Sequence, residues 1–392
     1  MIYFDSAATT KPCRAAIDAM SAAMSDAWGN PSSRHALGMA SSRLYEGARA
    51  DIMKTLGAAK FAAAAGSPSL IFTGSGTEAT NLAILGVCRA KKRRGRIIIG
   101  EGEHPATENA ALTAADEGFE VVKIPTVGGA LDMNALSEAI TPDTVLISLM
   151  LVNNETGAVY DVKSAFDAAR AKAPAVVCHC DAVQGYMKIP FTVSSLGADL
   201  ITISSHKING PCGIGALYVS PEIYKKRALS PVIFGGGQEG GFRSGTEDVA
   251  EALGFAAAAS EAHENFKSRA GYEDELRRYI ILRLEKELPE VTVNLPRVPA
   301  PHIISLTTHS VKSETMLNFL SGRGICVSSG SACSSHSKKV SAALTAFGLT
   351  ARDADTTIRV SLSHENTKDE ADELVAALSS GVGTLSRAYG QR

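Results

Sequence analysis

From about residue 69 to residue 220 the chain alternates short apolar runs with helical patterns, and that rhythm limits the fold more than any other feature. Leu70-Ile71-Phe72-Thr73 reads as a buried strand. Thr77 to Lys92 follows, with Ala79, Leu82, Ala83 and Gly86 on one face at helical spacing. Arg96 to Ile99 is a strand, His104 to Glu117 a helix, Val121 to Ile124 a strand, and a further helix starts at Asp132. Val145 to Val152 and Ala175 to Cys180 are near-continuous apolar runs, as strands buried on both faces require. Leu200 to Ser204 and Gly215 to Val219 complete the set. A strand–helix repeat of this kind predicts an α/β fold with a mostly parallel sheet covered by helices.

The pattern changes after about residue 247. Helical stretches run through Ala250 to Ala262 and Tyr272 to Glu287. Short strands follow at Val291 to Val293, His302 to Leu306 and Ile358 to Leu362, mixed with helices, the last from Lys368. This predicts a smaller α+β domain, with the helical region near 250–287 as the connector. At 392 residues the chain is long enough for both.

Several function classes are disfavoured by composition. No apolar run approaches the roughly 20 residues that span a bilayer, and the first residues lack the basic and apolar regions of a secretory signal. Net charge is -2, and the one dense basic run, Lys91-Lys92-Arg93-Arg94, reads as a solvated helix end and not as a nucleic-acid footprint. Seven cysteines without framework spacing point to free thiols in a reducing cytoplasm.

Six segments carry chemistry-bearing residues. Thr73-Gly74-Ser75-Gly76-Thr77-Glu78 joins a strand to a helix, where backbone N–H groups and the helix start favour a phosphate; taken alone, simple turn geometry is the commoner reason for such a segment. Val177 to Gln184 places Asp181 just past a buried strand, where it can pair with a protonated pyridine nitrogen or cap a helix. Ser204-Ser205-His206-Lys207, before Gly210-Pro211, puts at a strand end a lysine able to form a Schiff base with an aldehyde cofactor. His104 sits at a helix start, suited to stacking on a ring and shuttling protons, or to capping. Gly235 to Thr246 is a glycine-dense loop suited to close backbone approach to a ligand or a subunit. Cys333, in Ser328-Ser329-Gly330-Ser331-Ala332-Cys333-Ser334-Ser335, stands among small residues where a thiolate can be reached as a nucleophile. Cys178, His179 and Cys180 tempt a metal reading, but strand alternation sends neighbours to opposite faces, so no metal site is expected.

These segments, in this order, resemble the NifS/IscS-like cysteine desulfurases, pyridoxal phosphate (PLP) enzymes of fold type I in the class-V aminotransferase family. The resemblance runs from Tyr3 to Thr10, through Gly29-Asn30-Pro31-Ser32-Ser33, to Ile358 to Leu362. Its most specific elements are Ser204 to Lys207, Asn153-Asn154-Glu155-Thr156-Gly157, Arg243 to Thr246 and Ser329 to Cys333. It implies a large PLP-binding domain over residues 14–260, with a mostly parallel seven-stranded sheet. It also implies a small α+β domain from residues 1–13 and 261–392, carrying the Cys333 loop.

By position, Lys207 matches the Schiff-base lysine that moves the substrate Cα proton, Asp181 the pyridinium partner, Gln184 the ring-hydroxyl ligand and His104 the stacking histidine. Gly76, Thr77, Ser204 and His206 match the phosphate cradle. Thr246 matches a phosphate ligand given by a second subunit, hence a homodimer. Asn154 and Arg359 match the groups that hold the substrate carboxylate, and Cys333 matches the persulfide-forming nucleophile. The implied reaction takes L-cysteine to L-alanine and passes sulfur through Cys333 to an acceptor protein, a scaffold or a tRNA-thiolation enzyme, without direct nucleic-acid or membrane binding. Cys212 and Gly240 stand where the family often has lysine and arginine. A selenocysteine lyase would depend less on Cys333, a class-V aminotransferase would not need it, and a sulfur-transfer platform would bind acceptors with little turnover of its own.

Overall fold

The computed structural model describes residues 1–58, 69–330 and 340–389. Strand β1 (Ile2–Tyr3) opens the chain. The large sheet uses β2 (Leu70–Thr73), β3 (Arg96–Gly100), β4 (Glu120–Ile124), β5 (Thr144–Met150), β6 (Val177–Asp181), β7 (Leu200–Ser204) and β8 (Gly215–Val219). Beyond it lie β9 (Thr292–Val293), β10 (Ile303–Thr307), β11 (Ile325–Cys326) and β12 (Thr357–Ser361). The seven strands of the large sheet stand in the order β2-β8-β7-β6-β5-β3-β4. Six run in one direction; β8 is antiparallel to both its neighbours. The mostly parallel sheet expected from the sequence is therefore present, with one reversed strand.

Strand alternation divides the large core into two layers. Ile97 and Ile99 of β3 join Leu146 and Val177 on one face, while Ile98 joins Ile147 and Cys178 on the other. Burial on both faces explains why these strands read as continuous apolar runs. Helix Gly76–Ala90 is started by Ser75, whose side chain accepts from the Glu78 N–H at 3.1 Å, and it buries Ala79, Leu82 and Ala83 against the sheet. Cys178 and Cys180 share the layer opposite His179, whose ring bonds Ser148 and Thr202 at 2.8 and 2.9 Å.

The second core gathers Ile2 and Phe4 with Leu276, Ile280, Leu306, Val360 and Leu374. Helices Val249–Glu264 and Phe266–Glu287 run from one core to the other and meet at Asn265, where φ is -99° and ψ 9°. β1 pairs with β11, and β9, β10 and β12 form an antiparallel sheet. The N-terminal segment after β1 thus starts in the small core and continues to the edge of the large sheet.

A buried ion pair fixes the glycine-dense loop to that sheet. Glu239 Oε2 accepts from Arg49 at 2.8 Å and from the Phe72 N–H at 3.0 Å, and Oε1 accepts from Tyr45 Oη at 2.6 Å. The Arg49 and Glu239 side chains are 10% and 2% exposed. Replacing Arg49 by methionine leaves a buried carboxylate without its cation, and is expected to cost about 3 kcal/mol, read as a lowered midpoint of denaturant unfolding. An unchanged midpoint would count against this anchoring role.

Candidate active site

The six co-directional strands end at one edge of the sheet, where α/β proteins place ligands. A cavity of about 210 Å³ opens there. It is lined by Gly76, Thr77, His104, Asn154, Asp181, Gln184, Ser204, His206, Lys207 and Arg359. Every site residue expected from the sequence is therefore brought together, except Thr246 and Cys333. Thr246 is exposed and outside the cavity. Cys333 lies outside the described residues.

Lys207 follows β7 in a short 3-10 turn. Its Nζ donates to the carbonyls of Ala7 and Ala8 at 2.7 and 2.6 Å. Gln184 Nε2 also donates to Ala7 O, at 2.8 Å. Thr10 closes this strap: its N–H and hydroxyl both donate to His206 O, and its hydroxyl accepts from the Asn209 N–H. The next turn needs a glycine at 210, because a Cβ there would lie 2.0 Å from Ser205 Oγ. A lysine of ordinary reach is thus aimed from a strand end into the cavity.

Asp181 ends β6, and its Oδ1 accepts from the Val183 N–H at 3.0 Å. Burial raises its pKa, against the opposing pull of the His104 and Lys207 charges. A carboxylate in this position gains from a cationic partner. His104 caps helix Pro105–Asp116: Nδ1 accepts from the Ala106 N–H at 3.1 Å, which leaves the proton of the neutral ring on Nε2. Burial lowers the His104 pKa, and His206 is pushed down to about 4 by burial and then by Lys207. Burial thus favours the neutral ring at both histidines.

The loop Asn153–Gly157 is shaped by its first residue. Asn153 Oδ1 accepts from the N–H groups of Glu155 and Thr156, and its Nδ2 donates to Gly102 O, which ties it to the loop before His104. Arg359, on β12 and 2% exposed, donates to Asn154 O and Asp5 Oδ1, each at 2.8 Å. Among the described residues its Nε–H has no partner. Ser328 Oγ donates to the other Asp5 oxygen at 2.9 Å, and Ser328 pairs with Arg359 through the backbone. Asp5 thus orients the guanidinium and leaves donors for a second carboxylate.

The cavity accommodates a flat ring that carries a phosphate. The first turn of helix Gly76–Ala90 faces it, and helix-start N–H groups favour an anion. A Cβ at Gly76 would lie 3.1 Å from Val183 Cγ2 and 3.3 Å from Ser204 Cβ, so any side chain there would fill the cradle. Glu78, one turn in, accepts from the Gly74 N–H at 2.8 Å and pairs with Arg243 at 2.8 Å. That pair holds Arg243-Ser244-Gly245-Thr246 beside the cradle's outer rim.

Several residues that shape the site were not singled out by sequence reasoning: Asp5, Glu78, Glu103 and Glu155. Glu103 is fully buried, accepts from the Met150 N–H at 2.8 Å, and has its pKa raised well above the carboxylate range by burial. Glu155 meets the described residues on both sides of the stretch that holds Cys333. Its Oε2 accepts from Ser341 Oγ at 2.6 Å, and a Cβ on Gly330 would lie 2.9 Å from the same oxygen. An acidic residue next to a motif asparagine was the available signal.

The profile of the family described as aminotransferase class-V matches residues 2–374. The cysteine desulfurase IscS of Dictyoglomus turgidum is 37% identical over 372 residues, covering 94% of this chain and 91% of that protein. The cysteine desulfurase IscS of Proteus mirabilis is 36% identical over 397 residues, covering 98% and 93%. A solved NifS-like protein matches with a TM-score of 0.89 and 31% identity, covering 98% of this chain and all of that one. A structure titled SspA in complex with cysteine matches with a TM-score of 0.76 and 31% identity, covering 94% of this chain and 100% of that one.

Proposed function

Because the chain belongs to the class-V aminotransferase family, we propose that it is a PLP-dependent cysteine desulfurase, which converts L-cysteine to L-alanine and delivers sulfur as a Cys333 persulfide. The observation that carries this reading is Lys207 and Asp181 lining one cavity with Arg359. The balance is closed: the substrate C–S bond breaks, a sulfur–sulfur bond forms at Cys333, and alanine keeps the amino and carboxyl groups. Residues 14–260 are taken as the PLP-binding domain, and 1–13 with 261–392 as the small domain.

PLP would be held by Lys207 at its aldehyde, Asp181 at its ring nitrogen, Gln184 at its hydroxyl and His104 across its face. Gly76, Thr77, Ser204 and His206 would receive the phosphate, with Thr246 from a second subunit. When bound, it supplies an electron sink for charge left at the substrate Cα. Arg359 and Asn154 hold the substrate carboxylate and so fix which substrate bond faces Lys207. The Lys207 amine, once free, moves the Cα proton. His104, whose Nδ1 accepts from the Ala106 N–H, carries a proton at Nε2 and can donate at that atom. The Cys333 thiolate attacks the substrate sulfur.

Thr246 is exposed and outside the cavity of its own chain, so its phosphate role requires a homodimer. Phe234 and Trp28, 78% and 71% exposed, offer apolar surface for such contact. The acceptor is taken to be a protein, and the location the cytoplasm; among the described residues no helix is long and apolar enough to cross a membrane.

The direct test is incubation of the PLP-loaded protein with L-cysteine and a reductant. Alanine and sulfide in equal amounts are expected; absence of alanine would end the proposal. Arg359→Lys keeps a cation for Asp5 but loses the planar fork. It is expected to raise KM for L-cysteine about tenfold to a hundredfold, with a smaller change in kcat. An unchanged KM would remove Arg359 from the substrate site.

A further inference from the structure

A second cavity, of about 220 Å³, lies at the other end of the large sheet. Val177, the first residue of β6, lines it, and so does Asp199, just before β7. Asp181 in the catalytic cavity ends the same five-residue strand, so the two cavities stand about 13 Å apart along β6.

Four cations line this cavity: Lys91, Arg170, Lys226 and Arg227. Arg170 is answered by Asp199 at 2.9 Å. Glu222, the other carboxylate on the wall, is bonded to Lys225 at 2.6 Å. Among the described residues, Lys91 and Arg227 have no hydrogen-bonded ion pair, and Lys226, exposed like Arg227, has none but lies in the field of Glu222. Lys91 is half-buried and close enough to Lys226 for the two charges to repel; burial and that repulsion both lower its pKa. Arg227 sits at φ 49°, a left-handed conformation in which glycine or asparagine would be relaxed.

Helix ends explain part of this. Lys91 and Lys226 cap the C-termini of helices Gly76–Ala90 and Pro221–Lys225, where the helix dipole favours a cation. A lysine pointing into solvent collects the same gain. Lys92 and Arg93, the next residues in the basic run, do point outward, and Arg94 lies over the Phe119 ring at 4.9 Å. Of the basic run Lys91-Lys92-Arg93-Arg94, only Lys91 lines the cavity, facing a like charge. Converging cations in a half-enclosed space are relieved by an anion between them.

We propose that this cavity is a binding site for a phosphate group, free or carried by a small metabolite, held by Lys91, Lys226 and Arg227. The arginine fork matches phosphate oxygens bidentately, and the lysines supply compact charge. Lys92 and Arg93 add a field that draws anions to the mouth.

The test uses the PLP-loaded protein, so that the catalytic phosphate cradle is filled. Inorganic phosphate and glycerol phosphate are titrated separately by calorimetry, at ionic strength held constant with sodium chloride. Saturable one-to-one binding is expected. The double variant Lys91→Gln, Lys226→Gln is expected to bind at least tenfold more weakly, with alanine formation unchanged and a melting temperature no lower than wild type. Lys286→Gln, an exposed lysine elsewhere, should bind as wild type does. Tighter binding of glycerol phosphate than of phosphate assigns the site to a metabolite; equal or weaker binding assigns it to free phosphate. No saturable binding of either anion, or the same affinity in the double variant, overturns the proposal.

Discussion

Replacing Lys207 by alanine is expected to lower alanine formation from L-cysteine by about 10³-fold or more, the usual scale for losing a positioned proton-transfer group. The loss should fall on the chemistry and not on the fold. Lys207 is half-buried, and the carbonyl it shares with Gln184 keeps that second donor at 2.8 Å. Ala8 O loses the Lys207 hydrogen bond, a cost of about 1 kcal/mol. The informative companion is Lys207→Arg. It preserves a cation facing Ala7 O and Ala8 O, but a guanidinium cannot give up its proton at working pH. Electrostatic placement alone predicts partial activity for Lys207→Arg; proton transfer by a free amine predicts that both variants are equally inactive. The visible absorption of the PLP-loaded protein should change in both variants as well, since both lose the amine that holds the aldehyde. A Lys207→Ala protein with wild-type activity would dismantle the proposed mechanism.

Why these residues could be found from sequence, and others could not, has a physical explanation. Asp181 ends a strand buried on both faces, Lys207 and His104 each follow one, and such strands are continuous apolar runs. Three of them, Leu70–Thr73, Leu200–Ser204 and Gly215–Val219, have the bounds that the apolar runs suggest. Strand direction was less visible. β8 is as apolar as its neighbours, yet reversed. The clue was distance: residues 205–214 are too few for a crossover of about a dozen residues. Helix Arg14–Asp26 buries only the small residues Ala16 and Ala23, a weak apolar signal, whereas Ala36–Thr55 buries Tyr45, Ala48, Ile52 and Met53 at helical spacing and was legible in the sequence. Asp5 could not be assigned because its partner, Arg359, is 354 residues away and reaches it only through the pairing of β10 and β12 and the N-terminal strap. Local pattern finds groups that stand on strands; it does not find the groups that hold them.

Replacing Cys333 by serine is expected to abolish alanine formation, with PLP binding and L-cysteine binding retained. A hydroxyl is close in size to a thiol, but it does not ionise near neutral pH, and sulfur transfer requires the thiolate. Sulfur transfer is chemically separable from substrate and cofactor binding. The carboxylate pocket is built by Arg359, Asp5 and Asn154, and the cofactor pocket by Lys207, Asp181 and the Gly76 turn. Carboxylate and cofactor binding by these groups needs no thiol, so the spectral change produced by L-cysteine should survive in the variant. Two other thiols serve as controls. Cys326 is half-buried in β11, paired with Tyr3, and Cys212 is exposed, 4.0 Å from the Thr9 hydroxyl at the outer side of the strap. Cys326→Ser and Cys212→Ser are each expected to keep alanine formation within about threefold of wild type, since neither thiol lies in the cavity. Each outcome separates one reading from its rivals. Alanine lost only in Cys333→Ser identifies the nucleophile. Alanine retained in Cys333→Ser with selenocysteine as the better substrate moves the enzyme to selenium chemistry. Alanine lost in Cys212→Ser instead transfers the nucleophile to the strap side of the cavity, where Thr9 and His206 would be its neighbours.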